Sequence, residues 1–233
     1  MKAMILAAGR GLRMRPLTDK TPKPLLVVAG HPFIGHQLLT LAAAGIRDVV
    51  INVSYRAKQI MQALENGHRY GVNIVYSFEP TALETGGGIF QALPLLGNDP
   101  FMVLSADIYT DYPISKLVSH TLDSAQNIKA HLVLIDNPSF HPAGDFHLLP
   151  DQFLTLTGTP KLTFANVAIC HPTLFQNHTE GWFPLVQVFH KSINERKLTG
   201  EHYQNGIWFN VGTVEELRRL EHYLEKKAAY LPR

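Results

Sequence analysis

A chain of 233 residues that is 45% hydrophobic and 17% charged has the balance of a folded globular protein, not of a disordered or fibrous one. Its 21 Lys and Arg against 19 Asp and Glu leave a formal charge of +2, and with no zinc-finger or RNA-binding signature nucleic acid is not an expected partner. No run of about 18 apolar residues could span a bilayer and no signal-peptide pattern opens the chain, so no membrane partner and a cytoplasmic location are expected; the lone Cys170 excludes an intrachain disulfide and a Cys-rich metal site.

Residues 3–8 form a continuous apolar run bounded by Gly9, the form of a strand covered on both faces in a parallel sheet. Residues 32–44 place Phe33, Ile34, Leu38, Leu41 and Ala42 on one helical face, with Pro32 suited to the start and Gly45 to the stop. Strand-like 48–52, helix-like 57–66, strand-like 73–77, helix-like 88–96 and strand-like 101–105 continue the alternation. This is βαβ winding, which predicts an α/β fold with a doubly wound, mainly parallel mixed sheet. From Phe146 the pattern changes to short strands at 146–149, 153–156 and 162–170, expected as a small antiparallel insertion, before a helix at 184–195. The helix expected over 213–227 opens on a capping box of Thr213 and Glu216 and is predicted to pack on the sheet. One domain is expected, with a nucleotide-binding half at 1–136 and a second half with the C-terminal helix at 137–233. Nothing in the sequence separates a monomer from a small homo-oligomer.

After the first strand comes Leu6-Ala7-Ala8-Gly9-Arg10-Gly11-Leu12-Arg13-Met14-Arg15-Pro16-Leu17-Thr18, then Pro22-Lys23-Pro24-Leu25. Open α/β sheets bind ligands at the carboxyl ends of their strands; glycines let backbone N–H groups approach phosphate oxygens, and arginines pair with them. Arg10, Arg13, Arg15, Lys20 and Lys23 face only Asp19 in this stretch, so the chemistry is polyphosphate binding. The alternative, a solvated basic turn, uses the glycines for turning alone. Met14 stands where a dinucleotide fingerprint needs a third glycine, and a P-loop spacing is absent.

The segment from Leu6 to Leu25 resembles the signature of the nucleotide-sugar pyrophosphorylases, the sugar-1-phosphate nucleotidyltransferases. That resemblance implies a Rossmann-like nucleotidyltransferase fold in which the backbone around Ala8, Gly9 and Gly11 holds the nucleotide, Arg13 binds its triphosphate and Lys23 stabilises charge at the reacting phosphates. Leu12 departs from the small hydroxyl residue usual there. Asp107 ends an apolar strand; a helix cap or turn would use an aspartate equally well, but beside a polyphosphate loop a carboxylate suits Mg²⁺. The resemblance assigns Asp107 to the metal, with Asn210 of Trp208-Phe209-Asn210-Val211-Gly212-Thr213 as a neutral second ligand where the family more often has aspartate.

Glu79 and Glu84-Thr85-Gly86-Gly87-Gly88 lie in the segment that reads the nucleobase in the related enzymes, which implies Glu79, Thr85 and Gly86 at the nucleotide; exposed N–H groups at a helix start suit a base edge, while three glycines also serve as a tight connection. With Gly144-Asp145-Phe146 and Gly200-Glu201-His202-Tyr203, this loop most resembles the bacterial N-acetylmuramate α-1-phosphate uridylyltransferases of peptidoglycan recycling. The implied sugar contacts are Gly144, Asp145, Asn166 and Glu201, with Lys161 a weaker candidate and Asn166 equally readable as a strand-edge polar residue. The implied reaction condenses a nucleoside triphosphate, UTP, with a sugar-1-phosphate, N-acetylmuramic acid α-1-phosphate, releasing pyrophosphate with Mg²⁺ as cofactor. Thymidylyl transfer to glucose-1-phosphate, guanylyl transfer to mannose-1-phosphate and a non-catalytic nucleotide-sugar sensor are the alternatives.

Overall fold

Alternating side chains give the first strand two faces to bury. In the computed structural model, which describes residues 1–230, strand β1 (Ala3–Leu6) sends Ala3 and Ile5 into one apolar layer and Met4 into another. Chain order then gives helix α1 (Leu17–Lys20), β2 (Val27–Val28), β3 (His31–Pro32), α2 (Phe33–Ala43), β4 (Asp48–Val53), α3 (Ala57–Leu64), β5 (Asn73–Phe78), α4 (Glu84–Leu96), β6 (Phe101–Ser105), β7 (Ile108–Thr110), α5 (Ile114–Val118) and β8 (Ala130–Ile135). The second half contributes β9 (Phe146–Leu148), β10 (Leu154–Thr155), β11 (Lys161–Cys170), α6 (Leu185–Asn194), β12 (Leu198–His202), β13 (Trp208–Asn210) and α7 (Val214–Tyr230).

The expected doubly wound α/β architecture is present. β5, β4, β1 and β6 lie side by side and parallel, with α2 and α3 burying Ile34, Leu38, Leu41, Ile60 and Leu64 on one face and α4 and α6 burying Ile89, Ala92, Val188 and Phe189 on the other. The antiparallel strands expected after Phe146 belong to this same nine-stranded sheet: β11 runs antiparallel to both β6 and β8, and β9 and β10 extend from its start. β8, an apolar run not among the predicted elements, pairs parallel with β12 at the far end. The register of β11 against β8 shifts between Phe164 and Ala168, and Asn166 sits in that bulge with φ of 57°, a left-handed conformation that asparagine tolerates better than most residues.

Two predicted features are corrected by packing. α4 begins at Glu84, not at residue 88, because the Phe183 carbonyl accepts from the Gly86 and Gly87 amides at 3.0 Å each, so tertiary contact carries the helix through three glycines. α7 packs elsewhere than on the main sheet: Leu217 and Leu220 join Met14, Leu26, Val28, Phe33 and Val211 in a third apolar cluster beneath the signature loop. Its capping box forms as expected, with the Glu216 carboxylate accepting from the Gly212 and Thr213 amides at 2.8 and 2.9 Å and Thr213 Oγ1 accepting from the Glu216 amide at 3.3 Å. No helix among the described residues is long and apolar enough to cross a membrane.

Candidate active site

The carboxyl ends of β1, β4 and β6 open onto a cavity of about 630 Å³ whose wall includes Ala8, Gly9, Gly11, Arg13, Lys23, Thr85 and Asp107. These residues come from three distant parts of the chain, and buried amides tie them together. The Ala7 N–H donates to Asn52 Oδ1 at 2.8 Å, Asn52 Nδ2 donates to Glu79 Oε1 at 2.7 Å, and the Leu83 N–H donates to Glu79 Oε2 at 2.9 Å. Gln37, on α2, donates through Nε2 to the carbonyls of Ser105 and Ile108 at 2.6 and 2.8 Å and so clamps the turn that presents Asp107. Asn52 and Gln37 do not stand out in the sequence as site residues. Their available signal was a single polar side chain at the end or on the face of an otherwise apolar element, which usually means a satisfied core residue.

The cations are placed differently from one another. Lys23 Nζ lies 2.9 Å from Asp107 Oδ2, joining the signature loop to the end of β6. Arg13 lies against Gly212, where an added Cβ would sit 3.0–3.1 Å from the guanidinium and press on it. Gly11 holds the loop in a left-handed turn with φ of 62°.

Asn210 does not line the cavity. It sits in the short antiparallel ribbon of β13 and β7, and the Val211 N–H donates to the Asp107 carbonyl at 2.8 Å, so the two proposed metal residues are neighbours. Asn210 Oδ1 is buried with no hydrogen-bond partner among the described residues. An orphaned amide oxygen and a carboxylate on adjacent backbone segments are oxygen donors of the kind a hard divalent ion takes. No group of three or more His, Cys, Asp or Glu among the described residues could hold a metal by itself.

Of the implied base-reading residues, Thr85 lines the cavity, whereas Glu79 is fully buried behind its wall with both carboxylate oxygens engaged. Gly86 is also withdrawn: its amide serves the Phe183 carbonyl, and an added Cβ would lie 2.5 Å from the Phe183 ring. Neither the Glu79 carboxylate nor the Gly86 amide is therefore open to a ligand.

A second cavity of about 220 Å³ adjoins the first, sharing Leu6, Thr85 and Ser105 with it. Asp145 and Asn166 line it among apolar residues of β11 and α6, including Phe164 and Phe189. Asp145 Oδ2 accepts from the Phe164 amide at 2.8 Å and Oδ1 lies 3.1 Å from His141 Nε2. Gly144 is a turn residue outside the wall, with φ of 62° and the Lys161 carbonyl 2.7 Å from any added Cβ. Lys161 and Glu201 line neither cavity. Glu201 instead accepts from Tyr112 and pairs with Lys116 at the outer edge of the sheet, because β12 is carried there by β8.

Three comparisons bear on this arrangement. The nucleotidyl transferase family model matches residues 2–140. An N-acetylmuramate α-1-phosphate uridylyltransferase of Neisseria meningitidis serogroup B is 46% identical over 225 residues, covering 95% of this chain and 97% of the relative; one of Caulobacter vibrioides is 35% identical over 222 residues, covering 90% and 91%. The crystal structure of a UDP-glucose pyrophosphorylase complexed with UDP-glucose superposes with a TM-score of 0.78 over 97% of this chain and 98% of that one at 17% identity, a likeness of fold.

Proposed function

The chain belongs to the nucleotidyl transferase family, and from that premise we propose that it condenses UTP with N-acetylmuramic acid α-1-phosphate, giving the UDP-sugar and pyrophosphate, a step in peptidoglycan recycling. The near-full-length 46% identity to a uridylyltransferase of that sugar phosphate carries this reading of base and sugar. The two adjoining cavities fit it, one bordered by backbone amides and cations for a triphosphate and the other by apolar surface and two polar side chains for a sugar.

In the proposed reaction a sugar-phosphate oxygen forms a bond to the α-phosphorus as the bond from that phosphorus to the bridging oxygen breaks, and the electron pair leaves with pyrophosphate. A phosphate monoester is mostly dianionic at neutral pH because its second pKa is about 6, so no protein base has to remove a proton. What the chain must supply is alignment and charge. Arg13 and Lys23 meet the phosphates, and the Lys23–Asp107 pair, about a third exposed at its carboxylate, can be parted when a triphosphate takes the ammonium. Asp107 and Asn210 would hold Mg²⁺, which when bound neutralises phosphate charge. Thr85 lines both cavities, which in this reading is where the sugar phosphate reaches the α-phosphorus.

A grid of nucleotides against sugar phosphates, read as pyrophosphate release with and without Mg²⁺, tests this. UTP with N-acetylmuramic acid α-1-phosphate is expected to give the highest kcat/KM. Preference for dTTP with glucose-1-phosphate or GTP with mannose-1-phosphate would reassign the substrates, and tight nucleotide-sugar binding without pyrophosphate release would make the protein a sensor.

A further inference from the structure

Three cations line the larger cavity, and Arg10 is the one held by an aromatic ring. Its guanidinium carbon stands 5.5 Å from the centre of the Tyr55 ring, and that of Arg56 stands 5.5 Å from the same ring. Among the described residues Arg10 has no carboxylate within ion-pair distance, whereas Lys23 is paired with Asp107 and Arg15 with Asp19. The ring is itself fixed to the signature loop. Tyr55 Oη donates to the Thr18 carbonyl at 2.9 Å and accepts from Arg56 Nε at 3.1 Å; Arg56 also donates to the Asp19 carbonyl, and Thr18 Oγ1 donates to the Gly11 carbonyl at 2.9 Å. A ring face orients a guanidinium through its quadrupole without neutralising it, whereas a carboxylate partner would cancel the charge that a phosphate needs.

We propose that Arg10 binds the phosphates that leave as pyrophosphate and that Tyr55 is the positioning residue that holds Arg10 for them. This rests on the uridylyltransferase reading above. Phosphoryl displacement keeps the attacking and leaving oxygens roughly in line on opposite sides of the phosphorus. The smaller cavity meets the larger at Leu6, Thr85 and Ser105 and includes no residue of the turn from Gly9 to Arg13. Attack from that junction directs the leaving group away from the smaller cavity, into the larger one whose wall includes Arg10. The sequence assigned the triphosphate to Arg13; Arg10 and Tyr55 add a second contact, with its support more than forty positions away in the chain.

Initial rates in both directions test the proposal on the full chain, forward with UTP and N-acetylmuramic acid α-1-phosphate and in reverse with the UDP-sugar and inorganic pyrophosphate. Arg10→Gln is expected to raise KM for UTP and for pyrophosphate about tenfold or more, the loss of a charge-assisted contact, while KM for the UDP-sugar, which carries no leaving phosphates, changes less than about twofold. Tyr55→Leu is expected to shift the same two constants the same way by a smaller factor, and Tyr55→Phe, which keeps the ring face, to stay near wild type. An unchanged pyrophosphate KM in Arg10→Gln, or an equal rise for the UDP-sugar, overturns the assignment of Arg10. Tyr55→Phe as impaired as Tyr55→Leu overturns the platform role. Inactivity of the wild type on these substrates would sink the functional reading instead, and calorimetry with inorganic pyrophosphate alone would still show whether Arg10→Gln weakens its binding.

Discussion

Lys23 and Asp107 stand 84 positions apart and 2.9 Å from each other, and each is assigned a role at the reacting phosphates. Because the carboxylate is about a third exposed, the ion pair contributes little to stability, on the order of 1 kcal/mol or less. Lys23→Ala is therefore expected to keep the thermal midpoint within a few degrees of wild type while lowering kcat by about 10²-fold or more, since the charge it meets grows in the transition state. Equal turnover in the two proteins would remove Lys23 from the chemistry. Asn210 offers a sharper metal test, because its buried side-chain oxygen has no hydrogen-bond partner among the described residues and is free to take an ion. Asn210→Asp is expected to lower the Mg²⁺ concentration for half-maximal rate and Asn210→Ala to raise it, as a carboxylate attracts the ion more strongly than a neutral carbonyl. A magnesium titration at saturating substrates in which neither variant moves the midpoint would leave Asp107 as the only protein ligand.

The start of α4 shows how one element couples the two cavities. The Phe183 carbonyl caps the Gly86 and Gly87 amides, and the Leu185 N–H donates to Thr85 Oγ1 at 2.8 Å, so the segment entering α6 is bound to the segment lining the larger cavity. A Cβ on Gly87 would lie 2.1 Å from the Gly181 carbonyl oxygen, while a Cβ on Gly9 meets no protein atom within 4 Å. The two glycines thus serve opposite purposes. Gly87→Ala is expected to lower the thermal midpoint by several degrees, the effect of about 1–3 kcal/mol of overpacking, and to raise KM for both substrates. Gly9→Ala should melt like wild type and raise KM for UTP, because the added methyl occupies ligand space and displaces nothing in the free protein. A melting curve with two-substrate kinetics separates them; a stability loss in Gly9→Ala greater than in Gly87→Ala would contradict both assignments.

Across the whole molecule the sheet is continuous from β5 to β12, and the edge at β12 is closed by a polar cluster that takes in Glu201, one of the four residues expected at the sugar. His131, almost fully buried, lies with Nδ1 2.9 Å from Thr199 Oγ1 and stacks on His120 with ring centres 3.9 Å apart. Burial, reinforced by His120 and Lys116 and opposed by Glu201, pushes its pKa down to about 4. Burial would raise the Glu201 carboxyl, but hydrogen bonds from Lys116 and Tyr112 outweigh it and hold that group below its usual range. The folded protein therefore keeps His131 neutral where the unfolded chain, titrating near 6.5, takes up a proton. Its contribution is fully present above about pH 6.5 and is lost as pH falls toward about 4. Thermal midpoints from pH 7 to pH 5 should fall in wild type and fall less steeply in His131→Gln; parallel profiles would assign acid sensitivity to other groups.

The sequence by itself pointed to phosphate chemistry, because the signature from Leu6 to Leu25 is one unbroken segment that is read without any tertiary contact. It also determined the βαβ winding and the Thr213–Glu216 cap, whose periods and spacings lie within a single element. Tertiary structure alone decided that Glu79 turns inward to Asn52, that Glu201 leaves the sugar side for the sheet edge, that α7 braces the signature loop, and that Tyr55 lies under Arg10. The physical reason is common to all four. Hydrophobic period tells which face of an element is buried, but which partner satisfies a polar or aromatic side chain there depends on strand order and on loops closed over tens of residues, and neither is encoded in local spacing.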